Sequence, residues 1–182
     1  AADFAINGSS GVLTFASTPN YESPDDDGAN NVYIVIVTVT DSGSNTDSQT
    51  ITVTVTDVNE SAPVITSNSG GSTAGISFAE NNTDAVTTVT STDADGTSTA
   101  TYSISGGADA ADFAINGSSG VLTFASTPNS ESAADADTNN EYIIIVQVTD
   151  GTNTDSQTIT ISVTDVNEFT PSITSNGGGD AA

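Results

Sequence analysis

Ser156-Gln157-Thr158-Ile159-Thr160-Ile161-Ser162-Val163-Thr164 decides how this chain is built. Ile159, Ile161 and Val163 alternate with Thr158, Thr160 and Ser162, a period of two that sends apolar side chains to one face of a strand and hydroxyls to the other. A sheet with one covered face and one wet face reads this way. Upstream, residues 141–149 place Tyr142, Ile144, Val146 and Val148 at alternate positions, while Ile143 and Ile145 make the start of that strand apolar on both sides. Working outward, strands are predicted at 62–67, 85–91, 99–104, 111–115, 120–125, 141–149 and 156–164, separated by turn clusters such as Asn116-Gly117-Ser118-Ser119-Gly120. Seven short strands in one unit predict an all-β fold, a seven-stranded Greek-key β-sandwich. Its predicted core is Phe113, Ile115, Val121, Leu122, Phe124, Tyr142, Ile144, Val146, Val148, Ile159, Ile161 and Val163.

The chain repeats itself. Ala1–Asn20 recurs unchanged at Ala110–Asn129, Asn45–Thr52 recurs at Asn153–Thr160, and Asp57-Val58-Asn59-Glu60 recurs at Asp165-Val166-Asn167-Glu168. The offset drops from 109 to 108 because one turn is a residue shorter in the second copy. Tandem sandwiches arranged head to tail are therefore expected. The reading gives 1–60 as the later part of one unit, 61–168 as a complete unit, and 169–182 as the start of a third. Residues 1–60 lack a counterpart of 61–109, so the expectation is an excerpt of a longer repetitive chain, with strand exchange between copies as the alternative.

Composition removes most chemistry. Among 182 residues there is no Lys, Arg, His, Cys, Met or Trp, and 24 carboxylates give a formal charge of −24. Without cationic side chains, nucleic acid and acidic membrane surfaces are excluded as expected partners, and no apolar run is long enough for membrane insertion. Catalysis by a His base, a Cys nucleophile, a Schiff-base Lys or His/Cys-held zinc is excluded with the residues themselves. Only paired-carboxylate chemistry survives, and the expectation is no enzyme. Ser and Thr make up 55 residues, which suits strands and polar turns rather than helices.

The acidic residues gather where units join. Around the first linker stand Glu22, Asp57, Asn59, Glu60, Asp93, Asp95 and Asp150, six carboxylates and an amide with no cation to pair them. If they converge they repel, and calcium resolves the repulsion because it takes six to eight oxygens and tolerates mixed, irregular ligands. Scattered acids such as Asp3, Asp47, Asp84, Asp109 and Asp180 read instead as solvated surface. The loops Asp25-Asp26-Asp27-Gly28 and Asp135-Ala136-Asp137 read the same way, with a peripheral cation as the lesser reading.

In order and spacing, these motifs resemble the cadherin family, itself Ig-like in architecture, in the tandem form found in extracellular stalks, fibres and microbial adhesins. The resemblance rests on Phe78-Ala79-Glu80-Asn81, Asp93-Ala94-Asp95, Phe113-Ala114-Ile115 through Gly120-Val121-Leu122, Glu131, the segment 142–151 and the linker Asp165-Val166-Asn167-Glu168. It implies two or three calcium ions per complete inter-repeat junction. At the first, the ligands carried over are Glu22, Asp57, Asn59, Glu60, Asp93, Asp95 and Asp150; at the second, Glu80, Glu131, Asp165, Asn167 and Glu168. Departures are Asn20 and Asn129 where the family carries Asp, and Ser61 and Phe169 where it carries Asn.

The function expected is a non-catalytic, calcium-rigidified repeat at the cell surface or outside the cell. Its partners would be neighbouring repeats of the same chain, with homotypic lateral or head-to-tail association as a further partner class. The alternative is a binding module for homophilic adhesion or carbohydrate.

Overall fold

The computed structural model describes residues 3–96 and 99–172. Residues 1–2, Asp180 and positions 173–182 of the third expected unit lie outside these. Contacts divide the chain into two compact units, Ala1–Ser61 with Ala94–Thr97, and Ala62–Asp93 with Ser98–Ala182. No helix among the described residues is long and apolar enough to cross a membrane.

In the first unit β1 (Phe4–Ile6) pairs antiparallel with β2 (Leu13–Phe15), and β3 (Val32–Thr40) with β4 (Thr46–Thr54). Three rings hold the two hairpins together. Phe4 stacks on Phe15 with centroids 4.7 Å apart, and both present themselves edge-on to the buried Tyr33.

The second unit carries β5 (Val64–Ile65), β6 (Thr73–Ala79), β7 (Thr87–Thr88), β8 (Ser91–Thr92), β9 (Thr101–Gly106), β10 (Phe113–Ile115), β11 (Val121–Phe124), β12 (Glu141–Thr149) and β13 (Thr154–Thr164). Its main sheet has the order β6-β13-β12-β9, in which β6 lies parallel to β13 and the other pairs are antiparallel. β10, β11 and β7 form a second sheet, and β5 pairs with β8. The alternation read in the sequence is the packing: Tyr142, Ile144, Val146, Val148, Ile159 and Ile161 are all at most 1% exposed, and Tyr142 faces Ile161 while Ile144 faces Ile159. Burying each such side chain is worth about 1.5–3 kcal/mol.

Three expectations are corrected. The predicted seven strands become nine segments, because β6 was not foreseen and the predicted strand 85–91 is two pieces. β6 reads Thr-Ala-Gly-Ile-Ser-Phe-Ala, and its small residues conceal the period by which Ala74, Ile76 and Phe78 join the core. Around Val89 and Thr90 the chain changes sheets: Val89 donates its amide to the Gly120 carbonyl, whereas Thr90 O accepts from Thr66 N. The core gains Ile65, Phe78 and Val89, and Val121 is only half-buried because it shares its face with Thr88 rather than with the cluster.

The inward face of β13 also begins polar. Asp155 Oδ2 accepts the Ile65 amide at 2.8 Å. The fully buried Gln157 donates to Gly71 O and accepts from Asn68 Nδ2, whose own oxygen takes the Thr87 hydroxyl. These bonds fasten the segment between β5 and β6 across the sandwich. Their counterparts in the first unit, Asp47 and Gln49, are exposed.

The turn between β10 and β11 closes on Gly120, at φ 69°, and a Cβ there would overlap the Val89 carbonyl oxygen. Gly11, in the same turn of the first unit at φ 72°, meets nothing within 4 Å. Gly120→Ala is therefore expected to lower stability in urea by more than about 2 kcal/mol, a left-handed penalty plus displacement of Val89, whereas Gly11→Ala costs about 1–2 kcal/mol. Equal losses would show that the Val89 contact is not what fixes the turn.

Candidate metal centre

β6 and β13 run parallel and end level, Ala79 beside Thr164, and the Glu80 amide extends the ladder by donating to Thr164 O at 3.0 Å. Glu80 and Asp165, the next residues on each strand, therefore emerge side by side. A third segment is brought in by Asn81, whose amide donates to Pro128 O at 3.0 Å. From there the short 3-10 turn Ser130–Ser132, capped by Asn129 Oδ1 accepting from Ser132 N, presents Glu131. Glu168 comes from the chain beyond β13 and accepts from Asn81 Nδ2 at 3.4 Å.

The result is a cluster in which carboxylate oxygens of Glu80, Glu131, Asp165 and Glu168 all lie within 4.8 Å of one another. Glu80 is buried and the other three are exposed. The Ser130 and Val166 amides, each 2.7 Å from a Glu80 oxygen, hold its carboxyl below the usual range. Glu131 goes the other way: its own backbone amide draws it down, but desolvation and the charges of Glu168 and Glu80 leave its carboxyl raised. That push comes from carboxylates crowded against one another. The donor set is all oxygen, irregular, and formally −4, which suits a hard divalent ion such as calcium.

A second cluster stands in the first unit, where Glu22, Glu60 and Asp95 bring carboxylate oxygens within 4.8 Å of one another. Asn20 caps the turn that carries Glu22 by accepting from Ser23 N, as Asn129 does for Glu131. Asp95 Oδ2 accepts the Ser61 amide at 2.9 Å. Asp57, Asn59 and Asp93 are half-buried, and Asn167 is exposed between Val166 and Glu168. Asp150 takes the Thr152 and Asn153 amides of its own turn.

Other acids answer to the backbone. Asp109, expected at the surface, is 3% exposed and ties Ala136 N (2.7 Å) to Ile143 N (2.6 Å). Asp26 and Asp135 are buried rather than solvated. Burial pushes both carboxyls up, but backbone amides outweigh it: Asn30, Asn31 and Gly28 lower Asp26, and Asn139 and Asn140, with the Asp137 side chain, lower Asp135. Two Asp-x-x-x-Asn-Asn repeats were the signal for these loops, legible only once the backbone turns are seen.

A sequence profile of the Cadherin domain matches residues 75–164. Those residues are a cadherin domain. Similar solved structures are the Protocadherin GammaB4 extracellular domain (TM-score 0.66, 21% identity, 92% of this chain and 26% of that one), mouse Cadherin-23 EC22-24 (0.65, 22%, 91% and 50%) and Drosophila N-cadherin EC1-4 (0.62, 17%, 89% and 40%). At these identities they show the cadherin fold alone, and the chain spans half or less of each. No curated protein matches the chain. Cadherin domains are extracellular adhesion modules that generally bind calcium.

Because Asp135 titrates below the ordinary carboxylate range, its stabilisation is present above about pH 4 and lost as pH falls through that value and below. Asp135→Ala is expected to cost about 1–3 kcal/mol at pH 7, with the gap from the wild-type protein narrowing toward pH 2. Thermal melts across that range check it; a gap that stays constant with pH would mean the cost is packing, not charge.

Proposed function

We propose that this chain is a non-catalytic, calcium-rigidified structural segment of an extracellular stalk, fibre or adhesin, built from cadherin-like units in tandem. The observation that carries the reading is the cluster of Glu80, Glu131, Asp165 and Glu168 in a chain with no cationic side chain. The tandem organisation is supported by the exact recurrence of Ala1–Asn20 and of the linker motif. Glu22 and Glu60 in the first cluster occupy the same repeat positions as Glu131 and Glu168 in the second, so the two clusters are copies of one device. Asp57, Asn59, Asp93, Asp95, Asp150 and Asn167 complete the proposed ligand sets, at two or three ions per complete junction.

When bound, calcium would supply positive charge and fixed coordination. The protein's own part is to gather oxygens from β6, the 130–132 turn and the linker, so that one ion ties three segments. A linker held this way loses freedom and projects the array.

A second reading, lateral association between copies, is supported by a surface that recurs. On the outer face of the β3–β4 hairpin Ile34 and Ile36 are 68% and 66% exposed beside Thr52 and Thr50, and Ile143, 42% exposed, stands beside Thr160 in the second unit. Carbohydrate recognition has less support, because Phe4, Phe15 and Tyr33, and Phe78, Phe113, Phe124 and Tyr142, are spent on packing against one another.

Calcium titration of the chain is expected to give dissociation constants of about 10⁻⁴–10⁻³ M. At 10 mM calcium the melting curve then shifts by the equivalent of about 1.4–2.7 kcal/mol per ion. Glu131→Gln is expected to weaken the tightest site about tenfold or more. In small-angle scattering, chelation should alter the maximum dimension; profiles identical with and without calcium would rule out the stiffening role.

A further inference from the structure

Glu80 differs from the other three carboxylates in what already holds it. It is 2% exposed, and its oxygens are divided between amides from two segments distant in sequence: Oε2 accepts from Ser130 N and Oε1 from Val166 N, both at 2.7 Å. Bonds from an amide to an ionised carboxylate are roughly twice as strong as neutral ones. Each oxygen retains a further lone pair, so these bonds and metal ligation are compatible. Backbone amides also stay when an ion departs.

We propose that Glu80 is a positioning residue, docking the root of the linker at Val166 onto the turn at Ser130 whether or not a cation is bound. This rests on the reading of the four-carboxylate cluster as a cation site and extends it to the metal-free state. Without metal, Glu131 and Glu168 repel, while Val166 remains tied to the sandwich through Glu80. The joint therefore loosens beyond Val166, and the Glu80–Asp165 half of the site persists for the next ion. Rebinding then has to order only Glu131 and the Asn167–Glu168 pair.

The test is residue-resolved amide hydrogen exchange on the full 182-residue chain in EDTA. The Ser130 and Val166 amides are expected to exchange at least about tenfold slower than their intrinsic rates. Glu80→Ala should return both to near-intrinsic exchange while amides of β12 and β13 stay protected. Glu80→Gln, with one acceptor oxygen in place of two, should keep at most one of the pair slow. Intrinsic-rate exchange of Ser130 and Val166 in the wild-type protein overturns the proposal, and so does protection that survives Glu80→Ala; the wild-type measurement decides even if that variant fails to fold. Glu131→Gln separates the two ideas: slow amides with weakened calcium binding support both, whereas slow amides with unchanged binding leave the anchor standing and sink the cation site.

Discussion

A chain with 24 carboxylates and no basic side chain must stabilise every folded acid with backbone amides, polar side chains, water or an external cation. The structure divides the work by position. Asp26, Asp109 and Asp135 are buried inside loops and each collects at least two backbone amides. Asp41 and Asp150 do the same in the hairpin turns. Where several acids converge, at Glu80, Glu131, Asp165 and Glu168, amides serve Glu80 from two sides, and the raised Glu131 carboxyl records the repulsion that remains. Internal acids thus act as staples of the sandwich, and the clustered ones are its points of dependence on something outside it.

The loops around Asp26 and Asp135 show how far the copies keep to one plan. In both, an asparagine with positive φ (Asn31 at 63°, Asn140 at 64°) donates its side-chain amide to the turn that carries the clustered Glu, at Tyr21 O and Ser130 O. In both, a tyrosine hydroxyl, Tyr33 or Tyr142, accepts a backbone amide from the same loop. Each tyrosine ring is also the edge-on partner of its unit's phenylalanines, so core packing and placement of the acidic turn are one structural problem.

Much of this was legible in the sequence. The long strands could be read because Ile159, Ile161 and Val163 alternate so regularly with hydroxyl residues, and the four acids of the second cluster could be named because the motifs around them resemble a known family's in order and spacing. β6 was illegible because Ala74 and Gly75 bury little and announce nothing, its place being set by parallel pairing with a strand some eighty residues away in sequence. Asp109 looked like any surface acid, since its partners at Ala136 and Ile143 meet it only in three dimensions. The amides of Ser130 and Val166 carry no side-chain signature, so what holds Glu80 cannot be read from residue types.

The hairpin that joins the two longest strands differs by one residue between copies, Asp41 to Asn45 against Asp150 to Asn153, yet Val39 faces Asp47 as Val148 faces Asp155. In both, an aspartate closes the bend by accepting a backbone amide two residues on, Gly43 N at Asp41 and Thr152 N at Asp150. A slip during copying of near-identical tracts that adds or drops a codon at this bend leaves every side chain on its proper face, whereas the same slip inside β4 or β13 turns the strand inside out. Length variation among duplicated units of this kind should accordingly collect at that one corner.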